Sequence, residues 1–322
     1  MAPNAQRNSL QGSAKEADTT IRKPSKAWFW FLLPSLLLIL IFFVLPVFIT
    51  IFLSGTNMSS ATGFSGWAWV GLKNYVKIFK HPDTPKNISV TLRYIFFTLI
   101  FFNVGMGLVV ALITTHLPKK PGFFFRSLWL LPRLTPPVIY IMMWNIIAAD
   151  APYGIISQMI CKPLGLPTAN WIPEAAFLFI VLINGYVGAS FGMILFSSAI
   201  ESISKDIMIS SLVDGATLLQ RIRYIIIPQL RWPLLFVTTY QTLSLLTSYN
   251  YILLLTDGNF GTEVWALWSY HRALNNYWGN FQYAFGSALA TLLVVIGIVM
   301  AAVYLRFFKF NELVQEPKID QL

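Results

Sequence analysis

The stretch AWFWFLLPSLLLILIFFVLPVFITIFLS, residues 27–54, contains no charged side chain. A bilayer's hydrocarbon core is about 30 Å thick and needs about 20 helical residues at 1.5 Å each, so this run spans it with length to spare. It also exceeds the roughly 7–15 apolar residues in the core of a secretory signal peptide, and is read as a retained first helix. The polar segment before it, 1–26, carries Arg7, Lys15, Arg22, Lys23 and Lys26. That segment is expected to be a disordered cytoplasmic tail.

Five more segments repeat the pattern: 91–117, 124–148, 174–200, 233–256 and 280–306. Charges within them sit at the ends, Arg93, Glu174 and Arg306 among them, except for Arg133. Of 322 residues 56% are hydrophobic and only 11% charged, against about 25% charged in an average soluble protein. A soluble fold of this length has no means of hiding so much apolar surface. Period-two alternation is absent, which disfavours a barrel, and backbone in lipid must satisfy itself, which leaves helices. The expected fold is an all-α integral membrane protein of about six spans.

The net charge of +10 is scattered between apolar runs, so it is read as setting orientation and not as a nucleic-acid surface. With the first residue inside, the segments 1–26, 118–126, 201–232 and 306–322 hold fifteen Lys and Arg; 55–93, 150–173 and 257–280 hold seven. Both termini are therefore expected in the cytoplasm. The exception is the first external loop, with Lys73, Lys77, Lys80 and Lys86. Its GLKNYVKIF is either an amphipathic stretch on the membrane surface or part of a small folded loop. Trp28, Trp30, Trp171 and Trp278 suit interfacial anchors. Asn57 and Asn87 begin Asn-x-Ser sequons of the kind chance produces.

No enzymatic constellation is visible. There is no Gly-Lys dipeptide and hence no P-loop, no Gly-x-Ser-x-Gly elbow, and His81, His116 and His271 have no metal-ligand spacing. Cys161 is the sole cysteine and reports no redox compartment. Energy for any transport must come from an ion gradient or another chain. Arg133 either snorkels toward the cytoplasmic headgroups, faces a partner helix, or lines a substrate path. The scarcity of intramembrane carboxylates argues against proton or sodium coupling, with sodium sites built from backbone carbonyls left as the open alternative.

The loop 201–232 is the most patterned connection. Ser204 can cap a short helix from Lys205, Gly215 suits a sharp break, Thr217 can cap a second helix toward Ile227, and Pro228 and Pro233 punctuate the entry to the fifth span. Taken alone this is either an ordinary connector or a docking surface. The run V-D-G-A at 213–216, then twelve residues to Pro228 and five to Pro233, resembles the cytoplasmic "EAA" loop of binding-protein-dependent ABC importer permeases. Pro34, Pro46, GLKNY at 71–75, the stretch from Arg126 to Trp144 and FQYAFGSALATLL from 281 are similar to the sugar-type branch, that of the larger maltose and glycerol-3-phosphate subunits. The likeness covers about residues 27–310, a permease domain followed by a cytoplasmic tail, 311–322.

That resemblance implies a type I permease architecture in the bacterial inner membrane. It implies that Lys205, Asp206, Ile209, Ser210, Ser211, Asp214, Gly215 and Ala216 form a coupling helix seated in an ATPase subunit. The family's Glu-Ala-Ala falls on Ile209-Ser210-Ser211, so the acidic residue is missing; Lys205, Asp206, Arg221 and Arg223 are candidates to replace its contact. The implied partners are a second homologous permease subunit, two ATPases holding ATP-Mg, an extracytoplasmic solute-binding protein and a carbohydrate. This chain itself is expected to hold no cofactor or metal.

The fifth span carries the polar residues Tyr240, Gln241, Ser244 and Ser248, of which the last three are expected on one face, and the fourth places Asn184, Gly188 and Phe191 at the same helical spacing. They either line a path for a carbohydrate or pack helices, as Gly188-x-x-x-Gly192 would. The runner-up function is an ion-coupled secondary transporter; a membrane enzyme or scaffold is the third.

Overall fold

The computed structural model describes residues 27–275 and 279–307. The two tails and Trp278 lie outside them, as does the side chain of Trp28. The chain divides into two packed units, Met1–Ile49 and Thr50–Leu322. The first contributes most of a helix, α1 (Phe29–Ser54). No described side chain from Phe29 to Ile49 is buried, as suits a surface that lipid covers. A π-turn at Leu40–Val44, where the Leu45 N–H reaches back to Leu40, accommodates Pro46, which has no N–H to give.

The second unit holds the core. Its elements are α2 (Lys73–Lys80), α3 (Thr84–His116), α4 (Lys119–Leu134), α5 (Pro137–Ala148), α6 (Trp171–Glu201), α7 (Lys205–Val213), α8 (Leu218–Arg221), α9 (Arg231–Thr247), α10 (Asn250–Leu255), α11 (Trp265–Ala273) and α12 (Tyr283–Phe307). The β-structure among the described residues is an isolated bridge between Thr56 and Trp69.

Three expected spans differ in detail. The second begins at Thr84, seven residues early. The third is broken: α4 and α5 meet at 98°. Thr135 precedes Pro136-Pro137, and both Thr135 (ψ 133°) and Pro136 (ψ 134°) leave the helical region, as a residue followed by proline tends to. The fifth stops at Thr247, and Ser248 (ψ 123°) interrupts it before α10. Four helices are long and apolar enough to cross a membrane among the described residues, or five if the bent pair counts as one.

The closest packing joins α3 to α6. A Cβ on Gly192 would lie 2.2 Å from the Asn103 carbonyl oxygen, and one on Gly107 3.0 Å from that of Ala189. Small residues let two backbones approach where lipid offers no hydrophobic drive. A separate apolar cluster roots the 201–232 loop: Ile203, Ile226 and Leu230 are buried with Ala111, Phe196, Ile200 and Val237.

The GLKNYVKIF stretch forms α2, and its apolar side belongs to the protein. Ile78 is fully buried, Tyr75 shares a 2.7 Å hydrogen bond with Ser54, and Asn74 Nδ2 donates to the carbonyls of Ser54 and Thr56. Val76 and Phe79 stay exposed. The sequon at Asn87 is buried, with its amide on Glu263, so it presents no glycan acceptor.

Candidate functional site

The loop after α6 is built by local chemistry. Ser204 Oγ accepts from the Asp206 N–H and starts α7. Asp206 in the first turn suits the positive end of the helix dipole. Gly215 at φ +74° turns the chain where a side chain would be strained. Thr217 and Gln220 then form a reciprocal capping box at α8. Of the expected coupling residues, Lys205, Asp206, Ser210, Asp214 and Gly215 are exposed, Ala216 is half-buried, and Ser211 is buried with its hydroxyl on the Met208 carbonyl. Ile209 is 57% exposed, and Leu212 and Val213 follow at 54% and 83%. The tip of α7 is thus an apolar knob, with the charged candidates Lys205 and Asp206 at the opposite end of the helix. Behind it Asp214, Gly215, Gln220, Arg221 and Tyr224 line a cavity of about 320 Å³.

The polar span residues separate into three settings. Asn184 is buried, and its amide donates to the Tyr94 hydroxyl and, at 3.4 Å, to Ser248 Oγ. Tyr94, from α3, is not among the expected residues; in the sequence it is one of several hydroxyls, with Thr91 and Thr98, at the start of an apolar run. Gln241 is buried and donates to the Gly188 carbonyl at 3.0 Å, tying α9 to α6. Gly188 itself faces the Asn103 side chain, at the α3–α6 contact. The expected shared face of Gln241, Ser244 and Ser248 is kept only in part, with Gln241 and Ser248 both reaching α6, at Gly188 and Asn184. Ser244 is exposed where Gln241 is buried, and Ser248 lies past the end of α9.

The third setting is open. Phe191 stacks on Tyr240 with centroids 4.8 Å apart and planes at 27°, and Phe236 stacks on Tyr240 at 6.3 Å and 14°. Tyr240 is 49% exposed. Arg133 does not snorkel to the rim: its Nη1 donates to Ser190 Oγ at 3.4 Å and its guanidinium lies 5.6 Å from the Phe191 ring. Arg126, two turns earlier on α4, pairs instead with Glu201 at the end of α6, at 2.7 Å.

At the other end of the bundle the loop after α10 folds back on itself. Asp257 (φ 52°) and Phe260 (φ 56°) take left-handed backbone beside Gly258 and Gly261. His271 joins the loop's two carboxylates, Nδ1 to Glu263 at 2.9 Å and Nε2 to Asp257 at 3.0 Å. The bond to Glu263 above all, helped by Asp257 and opposed by burial, raises the His271 pKa above its ordinary 6.5. Both carboxylates are served only when both ring nitrogens carry protons. Stability from this cluster is therefore complete below about pH 6.5 and is lost as pH rises through the raised pKa. Thermal midpoints should fall with pH across that alkaline window, and His271→Gln should flatten this limb; an unchanged slope would show that the cluster contributes nothing. His81 behaves oppositely: burial, then Arg272, lowers its pKa, so its contribution weakens on acidification below 6.5.

Long apolar helices, a close-packed helix pair and a capped helix exposed between two of them define a multi-pass membrane protein. Residues 103–310 match the family described as binding-protein-dependent transport system inner membrane component, and the chain belongs to it. Over 291 residues it is 27% identical to the trehalose/maltose transport system permease protein MalF of Thermococcus litoralis, covering 90% of this chain and 96% of that one. Over 220 residues it is 28% identical to the probable starch degradation products transport system permease protein AmyD of Thermoanaerobacterium thermosulfurigenes, covering 67% and 72%. A chain in the crystal structure of a bacterial alginate ABC transporter, in complex with its alginate pentasaccharide-bound periplasmic protein, shares the fold. Its TM-score is 0.75 at 21% identity, over 86% of this chain and 92% of that one. The chain is accordingly an ABC-importer permease and not an enzyme.

Proposed function

We propose that this permease moves a carbohydrate, an oligosaccharide by preference, across the bacterial inner membrane by alternating access driven by ATP on a separate subunit. The observation that carries the reading is α7, an exposed helix with an apolar tip, on a loop whose inner side is buried against the ends of α3, α6 and α9. A pull on α7 reaches those spans through Ile203, Ile226 and Leu230. Both termini and this loop face the cytoplasm, following the Lys and Arg bias. Two ATPases with bound ATP-Mg, a second homologous permease and an extracytoplasmic binding protein complete the assembly. The relatives named for trehalose, maltose and starch products favour a sugar. The half-exposed aromatic stack of Phe191, Tyr240 and Phe236 favours one too, since aromatic faces stack on sugar rings and need no charge.

The experiment is uptake by the whole transporter with Tyr240→Ala, and with Asn184→Leu and Gln241→Leu. Tyr240→Ala should lower uptake about tenfold with the ATPase still bound, the scale of one lost ring contact. The two buried changes should lower uptake less, together with thermal stability, each hydrogen bond being worth about 1 kcal/mol. Unchanged uptake in all three would sink the path assignment.

A further inference from the structure

Arg133 points to the charge of the cargo. It stands at the last turn of α4, just before the break at Thr135, and touches Ser190 and Phe191 near the middle of α6. Glu201, the last residue of α6 on the side that the Lys and Arg bias assigns to the cytoplasm, lies eleven residues further along, about 16 Å at helical rise. Half a hydrocarbon core is about 15 Å, so the guanidinium sits near the midplane. No carboxylate among the described residues lies within ion-pair reach of it. It is exposed, and the ring it lies over, Phe191, stacks on the half-exposed Tyr240, which in turn stacks on Phe236. A cation at that depth facing hydrocarbon is costly, and intramembrane arginines face a water-filled cavity or a partner group. Ser190 and the Phe191 face fix its plane but neutralise none of its charge.

Resting on the saccharide reading above, we propose that the cargo is an acidic saccharide, and that Arg133 takes a uronate-type carboxylate while the Phe191–Tyr240–Phe236 stack takes the apolar face of the sugar ring. The geometry suits it. A guanidinium presents a planar fork of donors that matches a carboxylate bidentately, which a lysine ammonium does not. The aromatic stack begins at the very ring the guanidinium covers, so charge and ring surface are presented side by side.

The test uses the complete transporter in vesicles with its own binding protein. It measures uptake of matched trisaccharide pairs, glucuronate, galacturonate and mannuronate against the neutral sugars with hydroxymethyl in place of carboxylate. Because the binding protein is common to all variants, a change in the acidic-to-neutral ratio belongs to this chain. Arg133→Met should lower that ratio by about tenfold to a hundredfold, the scale of one charge-assisted pair, and Arg133→Lys by less. Co-purification of the ATPase reports assembly for each variant. A neutral preference in the wild type, or a ratio unmoved by Arg133→Met, overturns the proposal and leaves the saccharide reading standing. Loss of assembly in Arg133→Met with retention in Arg133→Lys would place a carboxylate of a partner subunit on Arg133, and also overturns it. Transport of no member of either series sinks the saccharide reading together with it.

Discussion

Gly192→Ala should lower the thermal stability of this protein more than any other single glycine-to-alanine change at the α3–α6 contact. The added Cβ would stand 2.2 Å from the backbone carbonyl oxygen of Asn103. A backbone atom cannot swing aside, so α3 and α6 must separate, and their contact is the most extensive in the second unit. Overpacking of this kind costs about 1–3 kcal/mol or more and should lower the midpoint in detergent by about 5–10 °C. Gly188→Ala is the control. There the Cβ meets the Asn103 side chain, 2.1 Å from Oδ1, and a side chain can rotate away. Its midpoint should fall by clearly less. Equal losses at the two positions would mean that the helices are free to move apart and that the close approach holds nothing together.

The second large effect belongs to the tip of α7. Leu212→Lys with Val213→Lys should reduce co-purification of the ATPase by about thirtyfold or more, the loss expected when a central apolar anchor is removed. Both side chains are more than half exposed, so the permease loses little of its own packing. A cation at a helix C-terminus is favoured by the dipole, so α7 itself should persist. Gly215→Pro should act the same way for another reason: proline fixes φ near −65°, and the turn requires +74°. Undiminished co-purification of the double lysine variant would move the contact to the charged candidates, Lys205, Asp206, Arg221 and Arg223.

What could be read from residues alone was local or compositional. The caps at Ser204 and Thr217 and the turn at Gly215 are chemistry within four residues, and they stand where the sequence puts them. The apolar runs are visible because lipid demands them wherever they lie. The bend between α4 and α5 was missed although Pro136 and Pro137 were in plain view, because mean hydropathy runs on smoothly across a break in backbone direction. Among the polar span residues, spacing could not separate Gln241 from Ser244, since burial depends on which neighbour arrives. The partners that decide each setting come from far along the chain: Tyr94 for Asn184, Asn103 for Gly188, Ser190 for Arg133. His271 offered no spacing from which its partners could be read; from α11 it binds two carboxylates of the loop before that helix.

The central claim is that ATP on another subunit drives this permease, and uptake in sealed vesicles tests it most directly. The whole assembly is reconstituted with its binding protein and a saccharide outside, with ATP-Mg trapped inside or omitted, and with or without proton and sodium ionophores. Uptake should require internal ATP, survive the ionophores, and disappear in Gly215→Pro. Uptake without ATP that collapses when the ionophores are added would contradict the account and identify an ion-coupled secondary transporter instead.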